Sequence, residues 1–271
     1  MIRIGSLFSG IGGLELGIER GLSKEGIEAS TVWQVEKSPF CRSILKKHWP
    51  QSKRFEDVRQ RNNLATVDIL CGGFPCQDLS FAGKGAGIDG PRSGLFREMA
   101  RIVGEIRPRI WVMENVPAIR TRGLDTVVGT IADLGYSAVW GTISGSGVGA
   151  PHRRRRWFCI AMANTTGTGL EGCGKDTGQP QKPEPRHGRR HRIDRAGEAI
   201  PRMGRGSHGV PAGLDGSRWP ASPGEPQHPW EPDRLKTRIP GDKERLIALG
   251  NAVIPACAEE IGRAIGRKVL K

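Results

Sequence analysis

The sequence predicts an α/β chain built on a doubly wound parallel sheet, and three observations predict it. Over residues 1–163, short apolar runs of strand length alternate with segments of helical period. The first run ends in a glycine turn that opens a helix, an arrangement that lets a ligand approach backbone N–H groups at a helix N-terminus. From Asn164 to about Pro240 the periodicity fades into Gly, Pro, Arg and His, and it returns only after Asp242. Repeated strand–helix units imply parallel strands with helices on both faces. The expected organisation is a main domain over 1–163, a small irregular region over 164–240, and a segment over 241–271 that returns to the main domain.

The elements follow in order. Ile2 to Phe8 reads as a buried strand, Gly10, Gly12 and Gly13 make the turn, and Leu14, Ile18 and Leu22 mark one face of a helix. Ala29 to Val35 is a second strand. Ser38 is an N-cap with Pro39 at the first helical position, after which Phe40, Ile44 and Leu45 face inward. Val67 to Cys71 is a third strand, and Leu95, Met99, Ile102, Val103 and Ile106 carry a helical period. Ile110 to Met113 is a fourth strand. Leu124, Val127, Val128, Ile131 and Leu134 form a helix stopped by Gly135. Strands at Tyr136–Ile143 and Trp157–Met162 complete the domain. Trp219-Pro220 and Pro229-Trp230 argue for packed structure near the end of the irregular region. Leu246 and Leu249 restore periodicity, and Pro255 opens a last helix with Ile261, Ile265 and Val269. There is no internal repeat.

Bulk properties bound the function. The 271 residues carry a formal net charge of +14, supplied mostly by arginine, which points to a polyanionic partner such as nucleic acid. The six cysteines form no CxxC pair and no histidine cluster accompanies them, so no metal site is expected and the setting reads as a reducing cytosol. No apolar run reaches the roughly 18 residues of a membrane span, and the N-terminus has no signal-peptide pattern, so no membrane partner is expected.

The chemistry concentrates at strand ends. Glu36 closes the second strand at the distance from the glycine turn expected of a ribose-binding acid, and Asp57 would sit at the edge of the same crevice. Alone, each acid reads as a cap or a solvated charge. Together they sketch a pocket for an adenosine-bearing cofactor, which a dinucleotide and S-adenosylmethionine fit equally. Cys76 follows Pro75 on a turn that opens with Gly72 and Gly73. That setting presents a thiol at the C-terminal end of a strand, where structural cysteines are not usually found. The next strand ends in Glu114. A thiol near a carboxyl suits attack on an electrophilic ring that gains a proton as it is attacked. "FAGKGAGIDGPRSG" between them, with five glycines, predicts a mobile loop beside the thiol. In "GVGAPHRRRRWFCIA" strand alternation sends Arg154 and Arg156 to one face and Arg153 and Arg155 to the other. This pattern fits ligation of a phosphate or a base carbonyl as well as a solvated rim.

FSGIGG, GGFPCQ, RSGLF, ENV, the RxR before a strand and LGNAV-P stand here in the order found in DNA cytosine-C5 methyltransferases, which the chain therefore resembles over 1–163 and 242–271. The resemblance implies a Rossmann-like, S-adenosylmethionine-dependent methyltransferase sheet. It implies catalytic roles for Cys76 as nucleophile, Glu114 at cytosine N3, and Arg154 and Arg156 around the flipped base and its phosphate. It places the cofactor against Phe8, Gly10, Gly12, Glu36, Asp57, Pro75, Leu95, Asn251 and Val253. Substrate DNA is expected at Gln77, Ser80 and Asn115, and at Arg189, Arg190 and Arg192 of a target-recognition region over 164–240. His152 stands where the family usually has Gln.

The implied reaction is methyl transfer from S-adenosylmethionine to C5 of cytosine in double-stranded DNA, by a monomer in the cytoplasm of a bacterium or of a phage host. The resemblance leaves open a cognate restriction endonuclease acting on the same site. Two alternatives share the motifs: an RNA cytosine-C5 methyltransferase, and a catalytically silent DNA-binding relative. An NAD-dependent oxidoreductase accounts for the glycine turn and Glu36 but not for PCQ and ENV.

Overall fold

The computed structural model describes residues 1–60, 63–75, 94–164, 226, 228, 229 and 241–270. The strands are β1 (Ile2–Leu7), β2 (Ala29–Val35), β3 (Lys53–Phe55), β4 (Ile69–Gly73), β5 (Ile110–Asn115), β6 (Tyr136–Ser144) and β7 (Arg155–Ala163). The helices are α1 (Gly13–Lys24), α2 (Pro39–His48), α3 (Gly94–Ile106), α4 (Leu124–Asp133), α5 (Asp242–Asn251) and α6 (Pro255–Lys268). The seven strands form one sheet in the order β3-β2-β1-β4-β5-β7-β6.

Strand β1 pairs in parallel with β2 on one side and β4 on the other, so the chain order reverses about β1. Open α/β sheets bind ligands at such a switch point, outside the carboxyl ends of the strands. The period-2 pattern of the strands feeds two cores. Leu70, Trp111 and Met113 join Met99 and Val103 of α3 and Ile131 of α4 on one face. Ile69, Cys71, Ile110 and Val112 join Ile18 and Leu22 of α1 and Ile261 and Ile265 of α6 on the other. Helices thus cover both faces, as expected of a doubly wound sheet.

Several expectations are corrected. The sheet is mixed, not wholly parallel: β7 runs antiparallel to both β5 and β6. Between β6 and β7 the chain has only a 3-10 turn over Gly145–Val148, with no helix long enough to cross back over the sheet, so the two strands pair antiparallel. Strand β3 is an addition, too short to show a pattern in the sequence. Strand β4 begins two residues later than Val67 and runs through Gly72 and Gly73, because β5 pairs with both glycines and β1 with the first. The apolar residues read as the buried period of the segment after Asp242 face outward. Leu246 is 71% and Leu249 63% exposed, and α5 buries only Ala248.

The returning C-terminal segment packs on α1 through backbone. Gly13, Gly17 and Gly21 lie one turn apart, and a Cβ on them would stand 2.3, 2.3 and 2.2 Å from the carbonyl oxygens of Val253, Pro255 and Glu259. Gly262 of α6 answers with the Ile18 carbonyl 2.5 Å from its own would-be Cβ. Ion pairs from Lys24 to Glu259 and from Arg267 to Glu25, the latter at 2.9 Å, close the far end of the helix pair. Residues 241–270 therefore belong to the same unit as 1–164.

Candidate active site

The glycine turn after β1 is built from left-handed residues. Phe8 has φ 55°, Gly10 φ 56° and Gly12 φ 88°. Glycine adopts this region freely, whereas a phenylalanine there stores strain of order 1–3 kcal/mol, a feature that gathers at binding sites. Glu36, at the end of β2, holds the turn. Its Oε2 accepts the Gly10 N–H at 2.8 Å and its Oε1 accepts the Ser38 N–H at 2.8 Å. Each oxygen keeps a lone pair for a hydroxyl. Gly12 has another duty. A Cβ there would lie 2.4 Å from the Trp49 ring, and the residue does not line the crevice.

The turn is one wall of a crevice of about 640 Å³ at the carboxyl ends of β1, β2, β4 and β5. Phe8, Gly10, Glu36 and Asp57 line it, together with Pro75 and Leu95. The C-terminal segment supplies Asn251 and Val253. Two acids, a glycine turn with space where a side chain would stand at Gly10, and apolar surface from Val35, Leu95 and Val253 fit an adenosine-bearing group. Sequence reasoning missed Ile247 and Ala248 of α5 in the same wall, since helix orientation is not written in the local pattern.

Glu114 and Arg156 also face this crevice. Glu114, one residue before the end of β5, lies opposite Gly73 of β4, and the two glycines before Cys76 have distinct reasons. A Cβ on Gly72 would meet the Leu7 carbonyl at 2.6 Å, and one on Gly73 would meet Glu114 Oε2 at 2.7 Å. Gly73 therefore makes the space in which the carboxyl sits. Arg156 donates from Nε to Glu114 Oε1 at 3.0 Å. Glu114 is 8% exposed, and burial pushes its pKa up to about 7 against the pull of Arg156 and Arg154. Desolvation outweighs the ion pair, so the carboxyl is half-protonated near neutral pH.

Arg154 and Arg156 are partly buried while Arg153 and Arg155 are exposed, so the strand alternates as the sequence predicts. The two inward arginines part company, however. Arg156 goes to Glu114, whereas Arg154 donates from Nη2 to the carbonyls of Gly250 at 2.6 Å and Ala252 at 2.7 Å. Asn115, expected at the DNA, is 2% exposed and bound internally. Its Nδ2 donates to the Phe74 carbonyl at 3.2 Å and its Oδ1 accepts the Val116 N–H at 2.8 Å. This braces the turn that leads to Cys76, and Asn115 also lines the crevice beside Glu114.

Cys76, Gln77 and Ser80 lie outside the described residues, as do Arg189, Arg190 and Arg192 and the glycine-rich stretch 81–93. Pro75, covalently next to Cys76, lines the crevice. The described cysteines, Cys41, Cys71, Cys159 and Cys257, are buried, and burial raises the pKa of each, to about 12 for Cys159 and about 11 for Cys257. A thiol so held supplies little thiolate at neutral pH. Sequence reasoning also missed Glu15, which the helical pattern of α1 leaves without a signal. It is fully buried over β1 and β2, its Oε1 accepts from Gln34 Nε2 at 3.0 Å, and burial raises its pKa to about 7.

Known proteins share much of this sequence and its fold. The family model for C-5 cytosine-specific DNA methylase matches residues 2–201. Type II methyltransferase M2.BsuMI of Bacillus subtilis (strain 168) is 34% identical over 168 residues, 59% of this chain and 42% of the relative. Type II methyltransferase M.Eco47II of Escherichia coli is 35% identical over 177 residues, 61% of this chain and 40% of the relative. The crystal structure of a prophage-encoded protein assigned as a DNA modification methyltransferase (E. coli) superposes with a TM-score of 0.50 at 26% identity, over 60% of this chain and 47% of that one. The chain spans less than half the length of these relatives. The family match covers most of the chain, and the sheet, the glycine turn and the ENV acid fall within it: the chain belongs to the C-5 cytosine-specific DNA methylase family.

Proposed function

We propose that this protein methylates C5 of cytosine in a specific double-stranded DNA sequence, with S-adenosylmethionine as donor and Cys76 as nucleophile. The observation that carries the reading is Glu114. It is a buried carboxyl with a pKa of about 7, held by Arg156 on a crevice that is also lined by the residue next to Cys76. S-adenosylmethionine supplies an electrophilic methyl group.

The chain's residues do the rest. C5 of cytosine is a poor nucleophile until a thiolate adds at C6. The Cys76 sulfur forms that bond, the electron pair moves toward N3, and protonated Glu114 donates its hydrogen bond or proton there. Once C5 carries the methyl group, a base removes the C5 proton and the C6–S bond breaks, expelling Cys76. A base stacked in a duplex cannot offer C6 to a protein thiol, so the nucleotide leaves the duplex at a cost of about a few kcal/mol. Glu36 at the end of β2 and Asp57 just past β3 hold the adenosine portion of the donor, and Asn251 and Val253 close over it.

In the same reading residues 1–163 and 241–271 form the cofactor-binding and catalytic domain, and 164–240 reads the DNA through Arg189, Arg190 and Arg192. The protein acts as a monomer in a bacterial or phage-infected cytoplasm, and whether a restriction endonuclease shares its site stays open. No helix among the described residues is long and apolar enough to cross a membrane.

The test uses duplex DNA with 5-fluorocytosine at the target, after bisulfite sequencing of DNA from expressing cells has located the site. Wild type should be trapped covalently, since fluorine cannot leave as a proton does. Cys76→Ser should lose turnover and trapping while keeping S-adenosylmethionine binding, because a hydroxyl has no significant oxyanion population at neutral pH. An adduct that still forms in Cys76→Ser removes the thiol from the mechanism.

A further inference from the structure

We propose that Arg154 is a positioning residue for the cofactor wall: it ties the end of α5 to the strand that carries Arg156, and so acts on S-adenosylmethionine binding without touching the reacting base. The proposal rests on the cofactor reading above. Its ground is that α5 lines the crevice with Ile247, Ala248 and Asn251 and buries little of its own surface among the described residues. The helix buries only Ala248, its leucines face outward, and no described helix or strand packs extensively along it.

Its C-terminal end is tied by the guanidinium of Arg154, nearly a hundred residues away in sequence. Nη2 takes the Gly250 carbonyl at 2.6 Å and the Ala252 carbonyl at 2.7 Å. These carbonyls belong to the end of α5, where helical partners run out and the helix dipole favours a cation. Charge-assisted bonds of this kind are the strong ones.

The anchor is itself firm. The Arg154 carbonyl accepts the Gly145 N–H at 3.0 Å, which fixes the residue to the connection between β6 and β7. Two residues on, Arg156 holds Glu114. Just past the tied carbonyls, Val253 presses its own carbonyl against Gly13 at the start of α1. One strand end therefore sets two things at once: the position of the catalytic acid through Arg156, and the separation of Asn251 and Val253 from the glycine turn through Arg154. The two carbonyls occupy Nη2, so a contact from Arg154 to a target phosphate would have to come from Nη1 or Nε, and the experiment separates the two roles.

The experiment uses the full chain with Arg154→Met and Arg154→Lys. Amide hydrogen exchange without ligand comes first. In Arg154→Met, exchange across 242–254 should rise at least roughly tenfold, with Arg154→Lys intermediate and α6 and the central strands unchanged. The KM for S-adenosylmethionine should rise roughly tenfold in Arg154→Met, by more than kcat at saturating cofactor falls, and DNA affinity should hold. Unchanged exchange across 242–254 with wild-type cofactor binding intact overturns the proposal. So does a fall in kcat or DNA affinity at unchanged cofactor KM, which would return Arg154 to the base or its phosphate. Equal loss of protection throughout the chain overturns it too, in favour of a general structural role. A wild-type protein that binds DNA but no S-adenosylmethionine sinks the functional reading instead, and the cofactor half of the proposal with it.

Discussion

Replacing Glu114 by Gln changes stability in a way that depends on pH, and the sign follows from the direction of its shift. Burial raises the carboxyl from 4.5 to about 7 in the folded protein. Between those values the native state holds a proton that the unfolded state has released, so stability falls as pH rises through the window. A shift of this size corresponds to about 3 kcal/mol once pH is above both values. The attraction of Arg156 is already contained in it, since the ion pair at 3.0 Å pulls the value down and burial still prevails. Gln keeps the shape and cannot ionise. Urea unfolding at pH 5 and pH 8 should therefore show wild type losing about 2–3 kcal/mol more than Glu114→Gln over that interval. Buried Glu15 contributes a slope of the same sign, but it is common to both proteins and cancels in the difference. Parallel pH dependence in the two proteins would refute the reasoning, since it would mean that the carboxyl ionises in the folded state as easily as in water. The same proton links to activity: the single-turnover methylation rate should fall far more than DNA binding in Glu114→Gln.

Three further outcomes are expected. Gly17→Ala gains helix propensity of about 1 kcal/mol but sets a methyl against the Pro255 carbonyl, so the thermal midpoint should fall; a rise would show that α1 and α6 have room between them. Gly73→Ala places a methyl where Glu114 Oε2 sits, and a displacement of about 1 Å should lower the single-turnover rate by about 10²-fold with little effect on S-adenosylmethionine affinity, as calorimetry would establish. Replacing Arg189, Arg190 and Arg192 together by Ala should weaken DNA binding and reduce the slope of log affinity against log salt by about 0.9 for each phosphate no longer neutralised, with cofactor affinity intact; an unchanged slope moves phosphate binding elsewhere.

Much of the fold is legible in the sequence because strand and helix periods are local. Ile18 and Leu22, a turn apart, must lie on one helix face, and Ile110 to Met113 must be buried on both sides. The direction of β7 is not legible, since it depends on whether the connection from β6 contains a crossover helix and on which gap in the sheet is vacant. Leu246 and Leu249 mislead for a related reason. Spacing shows that residues share a face, but not what that face meets.

At the site, the sequence by itself determined which chemistry is on offer: a thiol on a glycine–proline turn, an acid ending the neighbouring strand, a glycine turn with Glu36 at ribose distance, and inward arginines at alternate positions. These are properties of residue type and of the period-2 geometry of a strand, and both are set by a few adjacent residues. Only the tertiary structure decided how the groups are apportioned. It gave Arg156 to Glu114 and Arg154 to the carbonyls of α5, turned Asn115 inward to hold Phe74, and showed Gly73 to be the space that admits the acid. Each of these rests on contacts between segments tens to nearly a hundred residues apart, and on how much water burial removes from a carboxyl. Neither quantity is encoded in any short stretch of chain, because both arise only when the sheet brings its strand ends together.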